Sequence, residues 1–296
     1  MNSANVEPAA LATASLESAV LRSTAPGPVP LGPVRLGPVV LQTEALECRV
    51  GERRIIGPLD FSVSSGEIVS IVGPNGVGKS TLLAALSGDM KFAGSVTLLG
   101  QPIQGLSATE LAKLRAVLLQ DSSVSFPFRV GEVVEMGRAP WRRSDRAEND
   151  RDVVAKAMVS CDIAHLADRN IQMLSGGERA RVALARTIAQ ETPVLLLDEP
   201  TAALDVHHQE RTFELLRERA AHGVAVVVVV HDLGLAAAHS DRVVVLSDGL
   251  VAAEGAPETA LDSEVLSRVY GHDVIVINHP QSPTPLVVPV RPMRSL

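Results

Sequence analysis

The stretch Glu67-Ile-Val-Ser-Ile-Val72, followed by Gly73-Pro-Asn-Gly-Val-Gly78-Lys79-Ser80, decides how this chain is read. An apolar, β-branched run ends in a glycine loop, and residues 79–86 read as a helix opening directly behind it. Gly73, Gly76 and Gly78 let the backbone turn its N–H groups inward, and the helix N-terminus adds partial positive charge. Lys79 is then placed for β- and γ-phosphates and the Ser80 hydroxyl for a divalent cation. The candidate phosphate contacts are Gly73, Pro74, Asn75, Gly76, Val77, Gly78, Lys79, Ser80 and Thr81.

Working outward, 193–197, 224–230 and 242–246 are Val- and Leu-rich runs of the kind buried on both faces of a sheet. Helical patterns at 178–190 and 206–221 lie between them, which predicts an α/β fold with a mostly parallel sheet. One run, Leu195-Leu-Leu-Asp198-Glu199, ends in two carboxylates. The first suits the shell of a Mg²⁺ ion and the second a base that polarises an attacking water. Leu174-Ser175-Gly176-Gly177-Glu178 precedes a helix. Ser175 and Glu178 have capping-box spacing, and a capped, glycine-flanked helix start also holds anions. A second phosphate device in a chain with one glycine loop points to two copies completing each other's sites.

Composition narrows the classes. Only 2% of the 296 residues are aromatic, too few for a surface that stacks bases or sugars, and the net charge of −7 opposes broad nucleic-acid binding. The apolar run 224–230 is far short of the roughly 18 residues of a membrane span. No basic residue precedes the apolar stretch 9–16, so the start lacks the form of a signal peptide. Cys48 and Cys161 fit no metal spacing and suit a reducing compartment. Residues 1–40, with six prolines and the repeat Leu31-Gly-Pro-Val34, Leu36-Gly-Pro-Val39, read as a flexible extension. Residues 41–272 read as the main domain, with a helical subdomain inserted at about 106–172 that includes helices at 108–114 and 151–167. Residues 273–296 read as a β- and Pro-rich appendage: Val274-Ile-Val-Ile277 and Leu286-Val-Val288 are two short strands around a turn.

Gly73 to Ser80, Gln120, Leu174 to Glu178, Asp198-Glu199, Ala203-Leu-Asp205 and His231 together, in this order over residues 41 to about 260, resemble the ATP-binding cassette (ABC) ATPases. The resemblance implies a P-loop NTPase cassette: a mostly parallel sheet core, an antiparallel β edge and an inserted helical subdomain. It implies ATP and Mg²⁺, with Ser80, Gln120 and Asp198 toward the metal, Glu199 as base, and His231 steadying the γ-phosphate and the attacking water. In such a family two cassettes pack head-to-tail. Ser175, Gly176 and Gly177 would then contact nucleotide held by the opposite subunit, and Asp205 would lie in the dimer-spanning loop. The implied partners are a second cassette, integral membrane permease subunits that Gln120 informs of nucleotide state, and, indirectly, a substrate-binding protein; nucleic acid is not among them. The implied location is peripheral, on the cytoplasmic face of the inner membrane.

Within the family, Ser123-Val-Ser-Phe126-Pro-Phe128-Arg-Val130 and Glu132-Val-Val-Glu-Met-Gly137-Arg-Ala-Pro-Trp141 look most like bacterial hemin importers, and these residues are expected to face a permease. Iron–siderophore importers follow closely, then cobalamin importers. Non-transport relatives in DNA repair or translation usually carry paired cassettes or coiled-coil arms, which this sequence lacks. A nucleotide-binding protein without turnover is opposed by the intact Lys79, Asp198, Glu199 and His231. Phe126 and Phe128 are either core or permease contacts. His207 and His208 read as structural residues at a helix start, and Cys161 as a packed apolar one. One departure stands out. The aromatic on which such ATPases stack adenine, near the end of the first strand, aligns here with Cys48, and Arg49 or Arg54 is the guanidinium substitute.

Overall fold

The computed structural model describes residues 36–120, 126–280, 282 and 284–291. The extension up to residue 35 and Ser123-Val-Ser125 lie outside the described residues.

A hairpin of β1 (Val39–Val50) and β2 (Arg53–Ser64) leads to β3 (Ile68–Val72), the glycine loop and α1 (Lys79–Ser87). β4 (Ala93–Leu98), β5 (Gln101–Pro102), α2 (Ala108–Leu114) and β6 (Arg115–Leu118) follow. The helical region carries α3 (Val130–Glu135), α4 (Asp150–Ser160) and α5 (Gly176–Ala189). Alternation then resumes with β7 (Val194–Asp198), α6 (Val206–Ala221), β8 (Ala225–Val229), α7 (Leu233–His239), β9 (Arg242–Ser247) and β10 (Leu250–Gly255). The chain closes with α8 (Pro257–Ala260), α9 (Ser263–Tyr270), β11 (Val274–Asn278) and β12 (Pro285–Pro289).

The central sheet has the order β10-β9-β3-β8-β7-β6. From β9 to β6 every pairing is parallel, and β10 is the antiparallel edge. A second, antiparallel sheet runs β2-β1-β4-β5, and β11 pairs with β12. The apolar runs belong to the central sheet because both of its faces are covered. Ile68, Leu195, Leu197, Val226, Val228, Val243 and Val245 pack into one core with the helical region, α6 and α7. Their neighbours Val69, Ile71, Leu196, Val227, Val244 and Leu246 point the other way, into a core shared with α1 and the antiparallel sheet. That is the period-2 alternation of a strand with two apolar faces.

Three readings change. The single helix expected at 151–167 stops at Ser160, because Asp162 takes left-handed backbone (φ 52°) and a short 3₁₀ turn, Ala164–Leu166, follows. The stretch 106–172, read as one helical insertion, contains β6, an edge strand of the central sheet. Arg138 and Trp141, expected to face a partner, are interior instead. Arg138 is 1% exposed. Its guanidinium donates to Asp150 at 2.7 Å, Glu191 at 2.9 Å and the Ala189 carbonyl at 2.8 Å. The Trp141 indole donates to the Gln190 carbonyl at 2.7 Å, and Arg146 stacks on its ring. These residues clasp the C-terminus of α5 to the start of α4. Phe126 is 69% exposed and meets the ring of Phe128 edge-on, whereas Phe128 packs half-buried against the core.

Because β3, β6, β7, β8 and β9 run parallel, their carboxyl ends lie along one edge of the sheet. Those ends deliver the glycine loop, Gln120, Asp198-Glu199 and His231 to one place, the crevice where open α/β sheets bind ligands.

Candidate active site

The glycine loop requires glycine at two positions for steric reasons. Gly73 has φ 148°, and a Cβ there would stand 2.4 Å from the Leu246 carbonyl oxygen. Gly78 has φ 106°, with a Cβ 2.7 Å from Ile56 Cδ1. Lys79 opens α1 and folds back across the loop, its Nζ donating to the carbonyls of Gly73 at 2.7 Å and Pro74 at 2.9 Å. Burial pulls the Lys79 ammonium below its ordinary pKa, opposed by the charges of Glu199 and Asp198.

Asp198, the last residue of β7, is 4% exposed, and its Oδ1 has no hydrogen-bond partner. Burial pushes its carboxyl pKa up, the Ser80 hydroxyl draws it down, and the neighbouring Glu199 raises it again. A buried, unpaired carboxylate oxygen is costly unless something cationic meets it. With the Ser80 hydroxyl beside it, the donor set is hard oxygen, suited to a Mg²⁺-like cation brought in by phosphates. Among the described residues no cluster of three or more His, Cys, Asp or Glu side chains is arranged to hold a metal alone.

Glu199 sits in left-handed backbone, φ 51°, a conformation that costs a non-glycine residue roughly 1–3 kcal/mol. Its N–H donates to the Val229 carbonyl at 3.1 Å, which fixes the turn against β8. The carboxylate is thereby held between two side chains from other strand ends. Gln120 Nε2 donates to Oε2 at 2.9 Å, and His231 Nε2 pairs with Oε1. A cleft of about 560 Å³ is lined by Asn75, Lys79, Ser80, Gln120, Glu199 and His231 on its phosphate side, within the roughly 300–1,000 Å³ of small-molecule sites.

The other wall of that cleft corrects the reading of Cys48. Cys48 is 0% exposed and packs in the core with Leu46 and Ile56. Burial accordingly raises its thiol pKa. The residues that reach the cleft are Val50, Arg53 and Ile55. Arg49 is tied to Glu47 at 2.6 Å, so the guanidinium at the cleft is that of Arg53 rather than Arg49 or Arg54. Period-2 alternation from buried Leu46 was the available signal: it puts Cys48 on the core face.

The 174–178 motif lies outside this cleft. Ser175 caps α5, with Glu178 N–H donating to Ser175 Oγ at 3.3 Å and Ser175 N–H to the Glu178 carboxylate at 2.7 Å. That backbone bond holds the Glu178 carboxyl below its usual pKa. Gly176 and Gly177 open the helix, and a Cβ on Gly177 would come within 3.2 Å of the Ala203 carbonyl. Neither they nor Ser175 line the glycine-loop cleft. Asp205 caps α6, accepting from His208 N–H at 2.9 Å and meeting its ring Nδ1 at 2.8 Å. Those contacts, the backbone one first, hold its carboxyl below the usual range. The far side of the same ring faces Asp162 at 3.8 Å, so His208 links α6 to the end of α4.

Comparison with known proteins fits this geometry. The family model described as ABC transporter matches residues 56–202. The hemin import ATP-binding protein HmuV of Nocardia farcinica (strain IFM 10152) is 56% identical over 240 residues, 81% of this chain and 83% of that protein. Its namesake in Escherichia coli O157:H7 is 44% identical over 244 residues, 80% and 94% of the two chains. Among solved structures, the dimeric bacterial ABC transporter cassette MJ0796 superposes with a TM-score of 0.67 at 28% identity, over 73% of this chain and 98% of that one. CbiO1 from Clostridium perfringens, part of the cbiONQ transporter complex, gives 0.68 at 28%, over 78% and 94%. Identity of this order along most of both sequences, on a sheet whose strand ends gather a phosphate loop and paired carboxylates, places the chain in the ABC transporter ATP-binding family, as an ATPase whose hydrolysis is coupled to transport.

Proposed function

We propose that this chain is the motor subunit of a hemin importer, working as a pair of cassettes beneath integral membrane permease subunits and peripheral to the cytoplasmic face of the membrane. The observation that carries the cargo is the 56% identity, across four-fifths of the chain, to a protein named for hemin import. No helix among the described residues is long and apolar enough to cross a membrane, which is compatible with translocation through separate permease subunits.

In this reading the glycine loop 73–78, Lys79, Ser80 and Thr81 hold the phosphates of ATP. Ser80, Gln120 and Asp198 are the residues for Mg²⁺, which supplies charge neutralisation at the β- and γ-phosphates; the unpaired Asp198 Oδ1 supports that role. Glu199 takes a proton from the attacking water, and its position between Gln120 and His231 supports the assignment. His231 steadies the γ-phosphate. Ser175, Gly176 and Gly177 serve nucleotide in the opposite copy, which their place outside the glycine-loop cleft favours, and Asp205 lies between the two copies. In domain terms, 41–272 is the cassette, 1–40 an extension and 273–296 an appendage.

The test is ATP turnover by the chain reconstituted with its permease and binding protein in proteoliposomes, comparing hemin, a ferric siderophore and cobalamin. Hemin alone should raise turnover severalfold. Stimulation by a siderophore or cobalamin instead would replace the cargo, and stimulation by none would remove the coupling to import.

A further inference from the structure

His231 follows β8 into a region of little packing. Its ring pairs with Glu199, is 44% exposed, and stands between two spaces, the ATP cleft and a second cavity of about 430 Å³. That cavity lies between the start of α7 and the β11–β12 hairpin, with His231, Asp232, Gly234, Tyr270, Val287 and Pro289 in its wall. Packing on that side therefore does not fix the backbone at 231–234, and the task falls to hydrogen bonds. Upstream, Val230 N–H donates to the Ile71 carbonyl at 3.2 Å and ties the chain to β3.

Downstream the tie is Asp232. Its Oδ1 accepts from Gly234 N–H at 2.7 Å and Leu235 N–H at 3.2 Å, two donors of the opening turn of α7 that the helix cannot satisfy by itself. Its carbonyl accepts from Ala236 N–H at 3.1 Å. Glycine at 234 leaves the carboxylate room to close on these donors, since a Cβ there would stand 3.0 Å from Oδ1. The helix beyond is rooted: Leu235, Ala236 and Ala237 are all buried in the core. Asp232 thus joins the loop that carries His231 to a helix fixed by its packing.

We propose that Asp232 is a positioning residue for His231: by capping α7 it sets the backbone from which the imidazole reaches Glu199 and the phosphate side of the ATP cleft. Without the cap, residues 231–234 relax into the cavity beside them and the ring leaves the reacting end of the nucleotide. The glycine loop, held by Lys79 at the carbonyls of Gly73 and Pro74, is untouched. The loss therefore falls on turnover rather than on ATP affinity. The inference rests on the role read for His231.

The test is a double-mutant cycle in the full chain: Asp232→Ala, His231→Ala and the two together, with Asp232→Asn alongside, each measured for kcat, Mg-ATP Kd and Tm. Loss of one cap leaves the fold intact, and kcat is read well below each variant's Tm. Asp232→Ala should lower kcat about 5- to 20-fold, no more than His231→Ala does, with Kd within about two-fold of wild type. Asparagine keeps an accepting oxygen and caps as well as aspartate, so Asp232→Asn should hold kcat within about two-fold. In the His231→Ala background, Asp232→Ala should cost nothing further, which a general loosening of the fold would not produce. Wild-type kcat in Asp232→Ala overturns the proposal. So does an equal fall in Asp232→Asn, or the same fold-loss where the imidazole is already gone. Full kcat in His231→Ala would end the reading of His231 itself, whereas a slow His231→Ala beside an unimpaired Asp232→Ala would end only this one.

Discussion

Val50→Tyr is expected to tighten nucleotide binding, and Cys48→Tyr is not. Val50 lies at the end of β1, 61% exposed, on the wall of the ATP cleft beside Arg53 and Ile55, whereas Cys48 is 0% exposed in the core. A ring at position 50 offers a base one face to stack on, worth about 1–3 kcal/mol by analogy with base–aromatic contacts. With the other face still in water, the lower end applies: ~1 kcal/mol, or about a five-fold lower Kd. At position 48 the same ring has no cleft to enter. It overpacks the contacts with Leu46 and Ile56, at about 1–3 kcal/mol or more. For a domain of this size that lowers Tm by about 2–4 °C per kcal/mol.

The assay is equilibrium binding of ATP, GTP and inorganic triphosphate to both variants, with melting curves alongside. Stacking acts on the base and tolerates its identity, so Val50→Tyr should tighten ATP and GTP alike and leave triphosphate unchanged. Unchanged ATP and GTP affinity in Val50→Tyr would refute the placement. Tighter ATP binding in Cys48→Tyr at an unaltered Tm would restore the register in which Cys48 faces the nucleotide.

Three further outcomes are expected. Glu199→Gln should lower kcat by about 10²–10⁴-fold while preserving ATP-dependent dimerisation, which light scattering and steady-state turnover check together. Ser175→Arg should abolish turnover while the same chain binds ATP with an affinity within about two-fold of wild type; it also loses the α5 cap, at ~1 kcal/mol in Tm measurements. Asp198→Asn should raise Tm in EDTA, because it removes a buried carboxylate charge with an unpaired oxygen, and should eliminate Mg-dependent hydrolysis. A lower Tm for that variant in EDTA would mean that Asp198 is stabilising as it stands.

Much of the fold could be read from the strands alone. Val226 to Val229 and Leu195 to Leu197 are apolar at every position because neighbouring residues face different cores, and few elements other than a doubly covered parallel strand call for that pattern. The glycine loop and the 174–178 cap were equally legible, since each is a local conformation set by the residues that form it. What escaped the sequence depends on long-range register. The alternation that turns Cys48 inward with Leu46 would carry Val50 inward as well, but the β1–β2 pairing shifts between Leu46 and Cys48 and again between Cys48 and Arg49, and Val50 leaves the core for the cleft. Arg138 reads as a surface charge until Asp150 and Glu191 are brought to it by the fold.

The charged groups at the strand ends act on one another, and that decides what a substitution at Glu199 measures. Glu199 raises the pKa of both Lys79 and Asp198, while Lys79 and His231 lower that of Asp198. Replacing Glu199 with alanine would remove this charge, leave Gln120 without its acceptor and free His231, three changes at once. Glutamine is the cleaner probe of basicity. Its amide oxygen can still accept from Gln120 and its NH₂ can still meet the His231 ring, so the left-handed turn at residue 199 keeps both of its side-chain anchors. Only the charge and the proton-accepting carboxylate oxygen are lost. A large fall in kcat with intact ATP binding in Glu199→Gln would therefore report the base itself, because the glycine loop and the carbonyl bonds that orient Lys79 do not pass through the carboxylate.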